Sequence, residues 1–88
     1  MIETRTVLLV GDRFTISAPG YRNRKHVYTV ETIGPGPHVG EPDATVFDCR
    51  ERTPSGTEIC LLTLPDNTLA YYQAKGWILD PETGKPKR

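Results

Sequence analysis

Apolar and polar residues alternate with a period of two along several short stretches of this chain, a pattern typical of β-strands with one buried face. The clearest stretches are residues 13–17, 27–33, 44–52 and 57–64, and the apolar run 6–10 is also β-prone. Eight glycines and eight prolines in 88 residues leave little length for long helices. We therefore predict a mainly β domain of short strands joined by turns.

The strands 44–52 and 57–64 are predicted to form a hairpin, because Pro54 and Gly56 suit a tight turn between them. In a three-residue loop with a glycine bulge, Cys49 faces Leu61. The buried face of that register carries Phe47, Cys49, Ile59 and Leu61.

A four-residue loop is the alternative for this hairpin, and it places Cys49 opposite Cys60. It also sets Glu51 against Glu58, a like-charge pair that costs roughly a few tenths of a kcal/mol. The charge argument favours the three-residue loop. Two cysteines are too few for a disulfide framework, so we expect both to be reduced core thiols.

The end of the chain carries one helical signal. Residues 66–76 begin with Asp-Asn and end with glycine, which predicts one or two helical turns. Residues 77–79 then form a closing strand. The polar residues 80–88 are predicted to be a flexible tail that follows a single domain of residues 1–79.

The segment Val10-Gly11-Asp12-Arg13-Phe14 is similar to the turn that opens many small SH3-like and KOW-like barrels. The order of predicted elements also resembles that superfold over residues 7–79. The resemblance implies a small SH3-like barrel of about five strands with one short helical turn near the C terminus. It carries over no binding residues, because the groove residues of a proline-peptide-binding SH3 domain are not identifiable here. The size fits a bacterial or phage accessory protein.

No catalytic or metal-binding motif is recognisable, so we predict a protein that is not an enzyme and uses no metal and no cofactor. The available nucleophiles and imidazoles do not stand in any known nucleophile–base pattern. Zinc sites usually contain close cysteine or histidine pairs, and none occurs. The residues considered are Ser17, Ser55, Cys49, Cys60, His26 and His38.

The beginning of the chain lacks the features of a secretory signal. Its longest apolar run is the four residues 7–10, far short of the roughly 20 needed to cross a bilayer. These observations predict a cytoplasmic protein with no membrane partner.

A cationic loop is the sharpest local feature, with Arg22, Arg24 and Lys25 between Tyr21 and Tyr28. Such a loop can follow a phosphate backbone while a tyrosine stacks on a base. The competing interpretation is a solvated loop with Tyr28 in the core. The net charge of zero favours the second interpretation, because neutral proteins attract nucleic acid poorly.

The segment 33–42 holds three glycines and three prolines, which predicts a long loop without regular strand pairing. Long loops in small domains are often functional, so His38 in this loop is a candidate contact residue. Tyr71 is a second candidate, because a two-turn helix cannot bury both Tyr71 and Tyr72 against one core. Trp77 is expected to close one end of the barrel.

Together these patterns predict a small non-catalytic cytoplasmic binding module. The leading hypothesis is a protein–protein adaptor or inhibitor encoded by a bacterium, phage or mobile element. One alternative is a nucleic-acid-binding module that uses residues 22–25. Another is a homo-oligomeric subunit of a phage assembly that pairs exposed strand edges. The candidate contact residues are Tyr21, Arg22, Arg24, Lys25, His38 and Tyr71.

Overall fold

A computed structural model describes residues 8–21, 24–38 and 41–87, with side chains for all of these except 36–38 and 41–44. Within these ranges the chain is mainly β, with a curled antiparallel sheet and one short helix, as the alternation predicts. The elements are β1 (Arg13–Ile16), β2 (Val27–His38), β3 (Glu41–Arg52), β4 (Glu58–Pro65), α1 (Asp66–Ala74) and β5 (Ile78–Leu79).

The strand order in the sheet is β4-β3-β2-β1-β5. Four strands thus follow one another as a meander, and β5 returns after α1 to pair with β1. A bulge in β2 between Val30 and Thr32 interrupts its pairing with β3. Because a bulge bends its strand and increases the twist, it helps the sheet to curl around the core.

The concave face of the sheet holds the core. Phe14 and Tyr28 stack with their ring centroids 5.4 Å apart, and both are fully buried. Leu69 from α1 is equally buried, so the helix covers part of this face. Each such side chain contributes about 1.5–3 kcal/mol through removal from water. The buried apolar residues are Leu8, Phe14, Ile16, Ala18, Tyr28, Val30, Val46, Phe47, Cys49, Leu69, Ala70 and Ile78.

The glycine- and proline-rich segment is part of the sheet, so the prediction of a long loop over 33–42 is wrong. β2 runs to His38 and β3 starts at Glu41, and these two residues face each other. β1 and the turn before it reach β2 only as far as Val30. Beyond Val30, β2 pairs with β3 on one side, and no other described residue pairs with its second side. This part of β2 is therefore an edge, where the missing N–H of proline is tolerated.

The β3–β4 hairpin has the predicted turn but a different register. Arg52 faces Glu58, and the Thr53 N–H donates to the Thr57 carbonyl at 2.9 Å, as the three-residue loop requires. Gly56 has φ of 97°, the left-handed conformation that its place in the turn demands. One residue later a bulge puts Glu51 opposite Cys60.

This bulge inverts the alternation along β4. Cys49 faces Leu62, so the predicted pair with Leu61 is wrong, as is the pair with Cys60. Ile59 and Leu61 are 50% and 49% exposed, and the prediction that they are buried is wrong. Cys49 is a buried thiol as predicted, whereas Cys60 is exposed and is not a core thiol. An inserted residue shifts every later side chain to the other face of the sheet.

The β-prone run 6–10 does not form a strand over its described part. Leu8 is buried, but Leu9 and Val10 are exposed and enter a turn. The Asp12 carboxylate accepts a hydrogen bond from the Leu9 N–H at 2.9 Å, and Gly11 adopts φ of 92°. The turn therefore uses the backbone groups that a ladder would need; residues 6 and 7 lie outside the described part.

The helical prediction for 66–76 is confirmed by α1, which is followed by Gly76 with φ of 77°. The predicted closing strand is β5. The polar segment after it has defined backbone partners, because the Lys87 N–H donates to the Ile78 carbonyl and Asp80 pairs with Lys85. Its flexibility stays a prediction, as does the boundary at residue 80.

Candidate functional site

Tyr21 ties the loop between β1 and β2 to the core. Its hydroxyl lies 2.8 Å from the hydroxyl of Tyr28, and the two rings meet edge to face with centroids 6.4 Å apart. Tyr28 is fully buried, and burial raises its pKa, so this hydroxyl stays protonated. Tyr21 is half-buried, and burial also raises its pKa. Tyr21 therefore anchors this loop on the sheet.

A buried carboxylate provides a second anchor for the same loop. Glu51 in β3 is 4% exposed, and its Oε2 lies 2.6 Å from Nδ1 of His26. Its Oε1 accepts a hydrogen bond from Sγ of Cys60 at 3.5 Å. A buried carboxylate is stable only when it is paired or hydrogen-bonded. Glu51 meets this requirement through His26 and Cys60, and it thus joins the end of the loop to β4.

Sequence reasoning did not find this cluster, although a signal for it exists. Glu51 continues the alternation of Phe47 and Cys49, so it belongs to the buried face of β3. A carboxylate at such a position needs partners, and His26 and Cys60 are the ones that the fold supplies. Asp48 occupies the opposite face of β3, where it accepts hydrogen bonds from the hydroxyls of Thr32 and Thr63.

The chemistry of the cluster is that of an anchor. Desolvation and the hydrogen bond to Glu51 raise the pKa of the Cys60 thiol. A nucleophilic cysteine needs the opposite shift, because the thiolate is the reactive form. Glu51 also lies between His26 and Cys60 as their common acceptor, an arrangement that stabilises a neutral thiol.

A group of three aromatic rings lies at the end of α1. Tyr71, Tyr72 and Trp77 have ring centroids 5.9–6.1 Å apart. Tyr72 and Trp77 pack against the core, whereas Tyr71 is 53% exposed, as predicted from their adjacency. Lys75 Nζ lies 5.7 Å from the centroid of the Tyr71 ring and adds a cation–π contact.

The loop and the aromatic group belong to one surface. The carbonyl of Trp77 accepts hydrogen bonds from the N–H and the hydroxyl of Ser17, at 2.8 and 3.3 Å. Tyr21 packs against the same core as Tyr72 and Trp77. We call the group of three rings the aromatic surface: Tyr71, Tyr72 and Trp77.

The other predicted contact residues are distributed unevenly. Arg24 and Lys25 are exposed on the loop that carries Tyr21. Arg22 lies outside the described residues. The backbone of His38 ends β2 at the tip of the β2–β3 hairpin, far along the strand from the loop that precedes Val27, and its side chain lies outside the described part. The structure therefore places Tyr71 in the aromatic surface and Tyr21 on the loop between β1 and β2, and it does not place His38 beside that loop.

Charged side chains on the exposed face of the sheet bind one another. Arg50 forms two hydrogen bonds with Glu31, at 3.0 and 3.1 Å, and approaches Glu58 at 3.7 Å. Arg52 donates to the same Glu58 at 3.1 Å. The hydrogen bond to Arg50 lowers the pKa of Glu31. This face therefore satisfies its own charges.

Other kinds of site find little support in the described part of the chain. No group of three or more His, Cys, Asp and Glu side chains there is arranged so that it could hold a metal ion, and no helix there is long and apolar enough to cross a membrane. An open groove of about 210 Å³ between the 11–13 turn and residues 80–87 is smaller than the roughly 300–1,000 Å³ of ligand pockets. Comparisons of the chain with protein-family models, curated protein sequences and solved structures found no match.

Proposed function

We propose that this chain is a small non-catalytic binding module and that its partner is a protein, bound at the aromatic surface. The observation that carries this proposal is the exposure of Tyr71 beside two rings that hold it in place. Tyrosine and tryptophan are enriched at protein interfaces, where a few of them supply most of the binding energy. The neighbouring charges on the sheet are already paired, so the aromatic surface is the better candidate for a contact.

The rigidity of the aromatic surface supports the same role. Immobilising a flexible side chain on binding costs about 0.5–1.5 kcal/mol. Tyr71 is already flanked by Tyr72, Trp77 and Lys75. The bond between Ser17 and Trp77 also fixes the loop on one side of this surface. A partner that binds here therefore meets a preorganised anchor.

The order of the strands supports the resemblance to SH3-like barrels. Four strands form a meander, a helix follows β4, and β5 returns to β1. We infer that the fold is a small, incompletely closed relative of that barrel. A role as an adaptor or inhibitor encoded by a bacterium, phage or mobile element fits a module of this size, and a cytoplasmic location stays a prediction.

The test is a nuclease-treated pull-down with the tagged wild-type chain, the variant Tyr71→Ser and the control Leu9→Ser. Leu9 is 67% exposed in the 8–12 turn, so the control removes a comparably exposed apolar side chain elsewhere. We expect one stoichiometric protein partner with the wild type and the control, and its loss with Tyr71→Ser. Equal recovery with Tyr71→Ser contradicts the proposed surface, and recovery only before nuclease treatment contradicts a protein partner.

Binding of nucleic acid is the second candidate, and one observation favours it. Arg24 and Lys25 are exposed and form no ion pair with a described residue, while Tyr21 lies on the same loop. A gel shift with a single-stranded oligonucleotide tests it. Changing Arg24 and Lys25 to alanine should abolish a salt-sensitive shift, whereas the matched change of Lys85 and Lys87 should not. An unchanged shift in the first variant contradicts this candidate.

A further inference from the structure

β4 is an edge strand with an exposed apolar surface. It ends the strand order, and β3 is its neighbour within the described ranges 8–21, 24–38 and 41–87. Five of its eight residues are exposed, including Ile59 and Leu61 at about half of their surface. An exposed edge presents unpaired backbone N–H and C=O groups together with these side chains.

Few of the devices that normally protect an edge strand are present in β4. Eight residues exceed the usual strand length of about five to six. Its single charge, Glu58, lies at one end, and its single proline, Pro65, lies at the other. The bulge opposite Glu51 and Arg52 disturbs only the beginning of the strand. Residues 60–64 therefore form a regular, uncharged edge that can pair with another strand.

The charges around β4 indicate what kind of strand it can accept. Glu58 is bound by Arg50 and Arg52 of its own chain. Thr63 donates to Asp48 at 2.8 Å, so this polar side chain is also engaged within the chain. Among the described residues of this edge, no unpaired charge remains that would select a charged partner. The complementary occupant is an uncharged, apolar strand, and β4 of a second copy has this character.

We propose that β4 pairs antiparallel with β4 of a second copy about a two-fold axis at Leu61. Directly opposed residues of an antiparallel pair lie on the same face, so Leu61 meets its symmetry equivalent and Thr63 meets Ile59. Glu58 lies beyond the bulge and is bound by Arg50 and Arg52 of its own chain, so no like charges oppose each other in this register. The interface is self-complementary, as closed two-fold symmetry requires. It joins two curled sheets into one continuous sheet through residues that do not belong to the aromatic surface.

The first test measures the molar mass of the chain over a range of concentrations by light scattering and sedimentation equilibrium. We expect the wild type to form a dimer and the variant Leu61→Lys to weaken it by about tenfold or more, because two like charges then face each other at the axis. Leu9→Lys is the matched control, since it places lysine at another exposed leucine. A wild type that stays monomeric at all concentrations overturns the proposal, as does an unchanged dimer in Leu61→Lys.

A cross-linking test does not depend on Leu61→Lys folding. Opposed Cα atoms in an antiparallel pair lie about 4.5–5.5 Å apart, within the range that a disulfide can bridge. Leu61→Cys in a Cys60→Ser background should therefore give a covalent dimer on mild oxidation, much faster than Leu9→Cys in the same background. Equal rates overturn the two-fold register. The variant Tyr71→Ser should dimerise like the wild type, so this proposal and that of the partner surface fail or succeed separately.

Discussion

The hydroxyl pair of Tyr21 and Tyr28 offers a sharp test of how the loop is anchored, because its two members differ in burial. Tyr21→Phe leaves the hydroxyl of Tyr28 in the core without its partner. An unsatisfied buried polar group costs about 1–3 kcal/mol. Tyr28→Phe removes the partner of the Tyr21 hydroxyl, which belongs to a half-buried residue. That change should cost about 0.5–1.5 kcal/mol, the net value of a typical hydrogen bond.

The double variant Tyr21→Phe with Tyr28→Phe tests whether the two hydroxyls interact. When Tyr21 and Tyr28 are both phenylalanine, no buried hydroxyl lacks a partner, so the loss should be smaller than that of Tyr21→Phe alone. Urea unfolding gives the free energy of unfolding of the wild type and the three variants. It can be followed by the fluorescence of Trp77, which is the single tryptophan of the chain. For a domain of this size, 1 kcal/mol corresponds to a shift of roughly 4–8 °C in Tm.

Two results would show that the hydroxyl pair does not behave in this way. Equal losses for Tyr21→Phe and Tyr28→Phe would mean that burial does not distinguish the two hydroxyls. Strictly additive losses in the double variant would mean that the hydroxyls do not interact, because coupled groups give non-additive changes in stability.

The remaining predictions concern thiol reactivity and pH. Burial raises the pKa of Cys49 to about 12. A disulfide reagent should therefore label only Cys60 in the folded protein and both thiols in urea. Rapid labelling of both thiols in the folded protein would contradict this prediction. Hydrogen bonds from Thr32 and Thr63 lower the pKa of Asp48 below its usual 3.8. The stability that Asp48 contributes should therefore be complete above about pH 4 and decrease at lower pH. In urea unfolding, the difference in free energy of unfolding between the wild type and Asp48→Asn should become smaller as the pH falls below that value. A difference that does not change with pH would contradict this prediction.

Local signals in the sequence were sufficient for most of the elements, although not for the length of β2 or for residues 8–10. Alternation over 13–17 and 27–33 predicted strands, because side-chain direction in a strand depends only on odd and even positions. Pro54 and Gly56 predicted the hairpin turn, and the glycine after 66–75 predicted the helix end, since each requires a particular φ at one residue. Such constraints act within a few residues and can be recognised without knowing the fold.

Tertiary structure decided the features that join distant residues. The register of β4 depends on a bulge that brings Cys60 to Glu51, and no turn signal specifies it. β2 extends through prolines because its neighbour β1 pairs with only part of it. This feature depends on another strand and not on the residues of β2 alone. The contact of Tyr21 with Tyr28 likewise arises when the sheet curls. These outcomes depend on which surfaces face each other after folding.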